Sequence, residues 1–436
     1  MTVALKGRVP VYAALRAATA GGALASGFVQ TYVFARVLSP EQFSIYIVIA
    51  SLGVSLWLFD LGVAKVIFVH LRDAFLRDRL GPGTEGEMLP AQAAGVASIY
   101  AVIVASGALL CFAFVAAGTN RGSLEATHEA LFFVYTALNL VWFVMRNVSV
   151  AGDQFIFFES LDAVRRVGHI SLTFCLFLPI SFLSFMLWSN LLWGVLFVVL
   201  LARLGRLGLV RWQAGRMTAV SAAFFRRHRL ALWSSGRYAL GEMYIYTFPS
   251  LLVPAVHGLG GPTIVFDTVF KVFRGATVVF SAACDLLVPL QTRAFAAGDT
   301  TDLRRRTLQA FLVGLVPAIG LGLILGGAGE HLFAILLGGA AQVPPAFNYI
   351  LIVLVLANLV QTVSNFVLVH TGFFLPIGRL ATGMALLMTV VAAFDALLHL
   401  SLLGFAALYT AAYVIGAVLY VFLAVRYPLA AHRPQG

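Results

Sequence analysis

Charge is scarce in this 436-residue chain: Asp, Glu, Lys and Arg together make up 11% of it. Soluble domains carry about 25%. Cysteine is scarcer still. The three present, Cys111, Cys175 and Cys284, lie far apart and form no CxxC pair. That excludes a disulfide framework and a thiolate metal site, and leaves small core residues as the expected role. A Walker loop, a dinucleotide-binding fingerprint, an Asp-rich cluster and a nucleophile elbow are all missing, so an ATP-driven pump has no support. No cofactor or metal is expected, and nothing marks the chain as an enzyme.

What is abundant is apolar surface. Hydrophobic residues account for 61% of the chain, against about 45–50% in soluble proteins. No globular core of this size could hide that much, which excludes an ordinary soluble enzyme. A membrane barrel is excluded too, because barrel strands alternate apolar and polar residues. Here the apolar runs are continuous, as from Leu183 to Leu201. The composition predicts an all-α polytopic membrane protein. At roughly 20 residues per crossing, about twelve transmembrane helices fill the length. The first apolar stretch, Val11 to Val37, has no cleavage site and is too long for a signal peptide. Spans are expected at approximately 11–37, 43–69, 91–117, 129–150, 166–187, 189–204, 234–256, 263–289, 307–327, 346–369, 380–399 and 403–425.

The formal net charge is +11. In a soluble protein this would suggest nucleic acid, but in a polytopic one it encodes topology. Most of the 29 basic residues fall in segments on one side of the expected spans, among them Arg72, Arg146, Arg165, Arg166 and the run from Arg203 to Arg237. Only Arg36 and Arg121 fall in segments on the other. The positive-inside rule then puts both termini on the cytoplasmic side of the membrane. The long basic segment divides the chain into an N-terminal lobe of six helices (1–204), a cytoplasmic linker (205–233) and a C-terminal lobe of six helices (234–436). Two such lobes around a central cavity are a common transporter plan. The hairpins Arg36–Ile49 and Val256–Phe270 echo each other weakly; Gly and Pro marking turns would explain the echo equally. Ser39, Pro40 and Gln42 spell a helix start with an S-x-x-Q capping box.

Titratable residues outside the spans offer little chemistry. Glu125, His128 and Glu129 share a helical face but lack further ligands, and Glu330 and His331 begin the amphipathic stretch HLFAILLGG. Charge inside the spans is more telling, since each such group costs about 2.5–3.5 kcal/mol at a helix centre. Asp267, Lys271 and Arg274 fall on one helix face. Lys271 lies roughly 13 Å and Arg274 roughly 18 Å from the turn at Pro262, close to the bilayer midplane. They predict either a cationic site in a wet cavity, with Asp267 restraining Lys271, or a structural ion pair between helices. Arg16 and Arg237 could line the inner mouth of that cavity or snorkel to headgroups. Lys65 could also snorkel. Asp60 lies five residues before it, about 140° around the helix, so the two do not pair. Glu242 is a candidate proton or cation site, or the partner of a basic neighbour. Asp395 is expected at the interface. A cationic midplane suits an anionic cargo such as a lipid diphosphate, with Arg binding phosphate through two donors and Lys as a point charge.

The run ARVLSPEQFSIYIVIASLGVSLWLFDLGVAKVIF, Ala35 to Phe68, resembles the first hairpin of Wzx-type polysaccharide flippases, a branch of the multidrug/oligosaccharidyl-lipid/polysaccharide exporter superfamily. Arg36, Leu38, Pro40, Glu41, Phe43 and Tyr46 match the family pattern, as do Asp60, Leu61 and Gly62; Ser44 stands where Gly is usual. The stretch His331 to Val360 resembles the family's short outer helix, turn and tenth span, with the usual turn motif blurred by GGAAQVPPAF. The resemblance implies alternating access and translocation of an undecaprenyl-diphosphate-linked oligosaccharide to the outer leaflet, for surface polysaccharide such as lipopolysaccharide O-antigen or exopolysaccharide. It implies membrane lipid and polysaccharide assembly proteins as partners, and no nucleic acid. A small-molecule antiporter of the same superfamily and a membrane-embedded glycan polymerase or ligase are the rival expectations. The latter would need a large catalytic outer loop.

Overall fold

The structure is a computed structural model that describes residues 8–77, 79–80, 86–118, 123–212, 217–285 and 287–429. The described residues form helices joined by short turns. Helix α1 spans Arg8–Val37 and α2 Pro40–Ser55, running into a 3-10 turn at Leu56–Asp60. Then follow α3 (Val63–Leu76), α4 (Leu89–Gly118), α5 (Ser123–Ala137), α6 (Asn139–Ala151), α7 (Phe155–Phe174) and α8 (Phe182–Arg206). After these come α9 (Met217–Arg227), α10 (Arg229–His257), α11 (Gly261–Asp285) and α12 (Val288–Ala296). The last are α13 (Thr300–Leu337), α14 (Ala346–His370), α15 (Phe374–Leu398) and α16 (Leu402–Arg426). Joining α2 with α3 and α5 with α6, and setting aside short α9 and α12, leaves about twelve long segments, as the composition predicts. Among the described residues, eight helices are long and apolar enough to cross a membrane, or nine counting the bent pair α11–α12. Helices α7 and α10 fall short of that apolarity, and both carry ionisable side chains that bear on the site.

The local signals at helix ends explain the boundaries. The Ser39–Gln42 capping box forms at the start of α2: the Gln42 N–H donates to Ser39 Oγ at 3.2 Å, and the Ser39 N–H donates to Gln42 Oε1 at 3.3 Å. Expected spans five and six are corrected. The chain breaks at Leu178–Ser181, where Pro179 lacks an N–H and Ser181 caps α8 by accepting from the Ser184 N–H at 3.1 Å. Helix α7 begins at Phe155, so Arg165 and Arg166, expected at the edge of a span, lie well inside a helix. Helix α13 also outruns its expected span of 307–327. Asp299 caps its start by accepting from the Asp302 N–H, and HLFAILL simply continues it to a left-handed Gly338 (φ 55°). Its 38 residues make roughly 57 Å of helix.

The chain divides into two compact units. One holds the chain up to Val33 together with Val48–Gly236; the other holds Phe34–Ile47 and the chain from Arg237 onward. In the first unit α4 packs on α5 and α9, α3 on α6, and α7 on α8. Trp142 of α6 centres an aromatic core, edge-on to Trp193 (5.3 Å) and Phe197 (5.2 Å) of α8 and tilted over Phe158 of α7 (4.9 Å). Residues 205–233 carry α9, whose Phe224 is buried, and the Arg211 N–H donates to the Pro90 carbonyl at 3.2 Å. In the second unit α14 is the hub, packed against α11, α13 and α16.

The segment Phe34–Ile47 gives the matched motif of the first hairpin a physical meaning. Phe34 packs edge-on against Phe43 and Tyr46, while Arg36 donates to the Ile335 and Leu336 carbonyls at 2.6 and 3.2 Å. These are carbonyls of the last turn of α13, which have no partner within the helix and sit at its negative end. At Gly338, a Cβ would come within 2.9 Å of the Arg36 guanidinium carbon. Arg36→Ala should therefore cost about 1–2 kcal/mol, a fall in detergent melting temperature that Arg36→Lys only partly restores. A second close approach joins α10 to α15, where a Cβ on Gly241 would stand 2.7 Å from the Ala381 carbonyl carbon. Backbone cannot yield as a side chain can, so Gly241→Val should destabilise by about 1–3 kcal/mol in the same melting assay.

Candidate functional site

Helix α11 carries two stripes. Phe266, Phe270 and Phe273 recur at i, i+4 and i+7; Asp267, Lys271 and Arg274 repeat the spacing one residue later, a rotation of about 100°. The aromatic stripe meets α16 rung by rung. Phe266 lies 5.7 Å from Phe405, Phe270 5.5 Å from Tyr409 and Phe273 5.2 Å from Tyr413. Edge-to-face aromatic pairs are directional, so this ladder sets the rotation of α11 and thereby where the charged stripe points.

Along that stripe one carboxylate holds two cations. Lys271 Nζ stands 2.6 Å from Asp267 Oδ2, and Arg274 Nη2 stands 3.1 Å from Asp267 Oδ1. The Arg274 guanidinium also lies 5.6 Å over the Phe270 ring. Asp267 is buried, whereas the side chains of Lys271 and Arg274 keep 22% and 28% exposure. The group carries one net positive charge, restrained at its base and accessible at its tips. Such a pair of fixed donors can bind an oxyanion through charge-assisted hydrogen bonds.

Glu242 of α10 sits in a hydroxyl-rich part of the same unit. It accepts a hydrogen bond from the Tyr420 hydroxyl. One turn earlier on α10, the Tyr238 hydroxyl accepts from Asn365 Nδ2 at 2.7 Å. One turn later, the Tyr246 and Tyr413 hydroxyls lie 2.8 Å apart. From Tyr413 the network continues through Asn358 Oδ1 (3.4 Å), and Asn358 Nδ2 donates to Thr277 Oγ1 at 2.7 Å.

The other residues singled out in the sequence are placed as follows. Arg237 is half-buried on α10 and Lys65 is exposed in the first turn of α3. Arg16 lies on α1, its side chain outside the described residues. Asp60 is buried and caps α3: its oxygens accept from the Gly62 and Ala64 N–H groups, both at 3.1 Å, and from the Tyr100 hydroxyl at 3.0 Å. Asp395, three residues from the end of α15, is fully buried, 2.9 Å from His257 Nε2. Sequence reasoning missed a buried ionic cluster around Asp162, Arg165 and Arg166. The signal was present in FESLDAVRRVGHISL, where Asp162 precedes the two arginines by three and four residues. Cys284 is buried, Cys111 and Cys175 are half-buried, and all three are free thiols. Among the described residues no three His, Cys, Asp or Glu side chains gather as a metal site requires.

No family model and no curated protein matches the chain in sequence. Solved structures do match it in fold. A multidrug resistance MATE family transporter of the MOP superfamily, in an inward-facing conformation, aligns with a TM-score of 0.66 at 13% identity over 96% of this chain and 98% of that one. A MATE transporter of Vibrio cholerae aligns at 0.61 and 12% identity, over 95% of each chain. A MOP superfamily transporter from Pyrococcus furiosus, characterised by a reverse polarity of its binding pocket, aligns at 0.61 and 11% identity over 97% of each. At these identities the match establishes the fold: an all-helical, two-lobed membrane transporter fold of the MATE kind.

Removing the anion at the base of the triad tests its energetics. Asp267→Asn leaves two cations facing each other with a neutral amide and should cost about 3–5 kcal/mol, read as a large fall in melting temperature. Neutralising all three in Asp267→Asn/Lys271→Gln/Arg274→Gln should recover most of that loss, because no uncompensated charge remains.

Proposed function

We propose that the protein flips a lipid-diphosphate-linked oligosaccharide from the inner to the outer leaflet of a bacterial inner membrane, by alternating access, for surface polysaccharide synthesis. The observation that carries this reading is the net-positive Asp267–Lys271–Arg274 triad, partly accessible and well inside the length of α11. A diphosphate that bridges lipid and sugar is doubly negative, and the Arg274 fork and the Lys271 ammonium supply the charge-assisted donors it needs. The sugar would follow the headgroup while the polyprenyl tail stays in lipid. The fold supports transport, since MATE structures that share it are solved in both inward-facing and outward-facing conformations. The first hairpin's resemblance to Wzx-type flippases supports the cargo. In this reading Arg16, Arg237 and Lys65 assist the cationic path. Glu242, held by the Tyr420 hydroxyl, is the group that couples movement to a proton or cation.

A second reading, a small-molecule antiporter of the same superfamily, draws on Glu242 itself: an acid bordered by tyrosine rings also suits an organic cation. Proteoliposomes holding the purified chain and a fluorescent polyprenyl-diphosphate sugar separate the two. The flippase reading predicts that the probe's accessibility to a membrane-impermeant quencher equilibrates faster than in protein-free vesicles. Lys271→Gln/Arg274→Gln should slow it about tenfold or more, equivalent to one or two lost charge-assisted hydrogen bonds. No acceleration by the wild-type chain, with ethidium exchanged for protons instead, would sink the flippase and leave the antiporter.

A further inference from the structure

The N-terminal unit contains an ionic core that the reading above does not use. On α7 the residues Glu159, Asp162 and Arg166 follow at i, i+3 and i+7 and share a face. Helix α1 meets this face with Thr19 and Gly22, one turn apart. Thr19 Oγ1 donates to Glu159 Oε2 at 2.7 Å, and the stem of Arg166 lies on Gly22, where a Cβ would come within 3.1 Å of its Cδ. From α6, Arg146 Nε reaches Glu159 Oε1 at 3.7 Å.

The two neighbouring arginines are used differently. Arg165 is fully engaged and buried: it stands 2.6 Å from Asp162 Oδ1, donates to Asn139 Oδ1 at 3.1 Å, and lies 4.4 Å over the Trp193 ring. Arg166 is bound only through Nε, 2.8 Å from Asp162 Oδ2, and its side chain keeps 23% exposure. Among the described residues its two terminal nitrogens have no partner. Arg146 Nε makes no hydrogen bond, and neither ring nitrogen of buried His169, one turn beyond Arg165, has one. Among the described residues, three arginines against two carboxylates leave one net positive charge. This repeats the construction on α11, where an aspartate gives one oxygen to each of two cations.

The geometry points to a second anion site, within the N-terminal unit, in which Arg166 binds a phosphate or diphosphate group. The proposal rests on the reading of the cargo as a lipid diphosphate. Asp162 fixes Nε, which leaves the planar pair of terminal nitrogens presented as a fork, the geometry that matches two phosphate oxygens. A lysine could supply the charge but not the fork. Asp162 is a positioning residue here, and Trp142 reports on it, because the indole Nε1 donates to Asp162 Oδ1 at 2.8 Å.

The test is a titration of the full chain in detergent with farnesyl diphosphate, inorganic pyrophosphate and farnesol, followed by calorimetry and tryptophan fluorescence. Farnesyl diphosphate should bind and farnesol should not. Arg166→Gln should raise the dissociation constant about tenfold, the size of one lost charge-assisted hydrogen bond, with a melting temperature near wild type. Arg166→Lys should fall between, and Arg206→Gln, an exposed arginine elsewhere on the surface, should change nothing. Gly22→Val, which crowds the Arg166 stem without touching its charge, should also weaken binding; it stands in if Arg166→Gln fails to fold. Pyrophosphate binding as tightly as farnesyl diphosphate supports the site and assigns it to soluble phosphate rather than a lipid headgroup. Wild-type affinity in both Arg166→Gln and Gly22→Val overturns the proposal. If Lys271→Gln/Arg274→Gln alone loses binding, the proposed cargo contact on α11 stands and this site falls; loss in Arg166→Gln alone does the reverse. No binding by the wild-type chain overturns both.

Discussion

A carboxylate that holds two cations at once is what allows positive charge to persist deep inside this chain. A lone ionised side chain at a helix centre costs about 2.5–3.5 kcal/mol. Asp267 offsets that for Lys271 and Arg274, and Asp162 does so for Arg165 and Arg166. Each group remains positive by one charge, and in each at least one cation keeps donors accessible. A neutral pair would be cheaper and would bind nothing. A bare cation would bind strongly but would destabilise its helix. The three-membered arrangement lies between these limits.

Charge so placed is useful only if the helix is rotated correctly, and here the aromatic residues decide. The ladder of Phe266, Phe270 and Phe273 against Phe405, Tyr409 and Tyr413 fixes α11 about its axis. Slipping that ladder by one residue would turn the charged stripe through about 100°. In the N-terminal unit Trp142 and Trp193 bracket Arg165, so the same rings that pack the core also hold the cation. Close backbone approaches, such as Gly241 against Ala381, leave little freedom for the helices to drift.

Some of this was readable without coordinates. The spacing of Asp267, Lys271 and Arg274 places them on one face of any helix that contains them, and the Ser39–Gln42 box needs only four consecutive residues. The Asp162 cluster has an equally local spacing, yet the arginines are expected only at the edge of a span. The reason lies in the chain between Ile170 and Leu187, which is apolar almost throughout. Only Pro179 and a serine cap mark the true break, so the expected span slid toward its C-terminal end and left Arg165 and Arg166 at its edge.

What the sequence alone determined is the solvent and the repeating element. So much apolar surface requires a bilayer, a bilayer requires internally bonded backbone, and side chains one turn apart must then meet. What only the tertiary structure decided are the meetings between helices remote along the chain: Thr19 with Glu159, His257 with Asp395, Tyr420 with Glu242, and Arg36 with the end of α13. Each depends on which helices are neighbours and how each is turned. That choice is made by packing shape, by a glycine that admits a close approach or a ring that demands an edge. In a chain where many helices are apolar on all sides, hydrophobic pattern alone cannot make it.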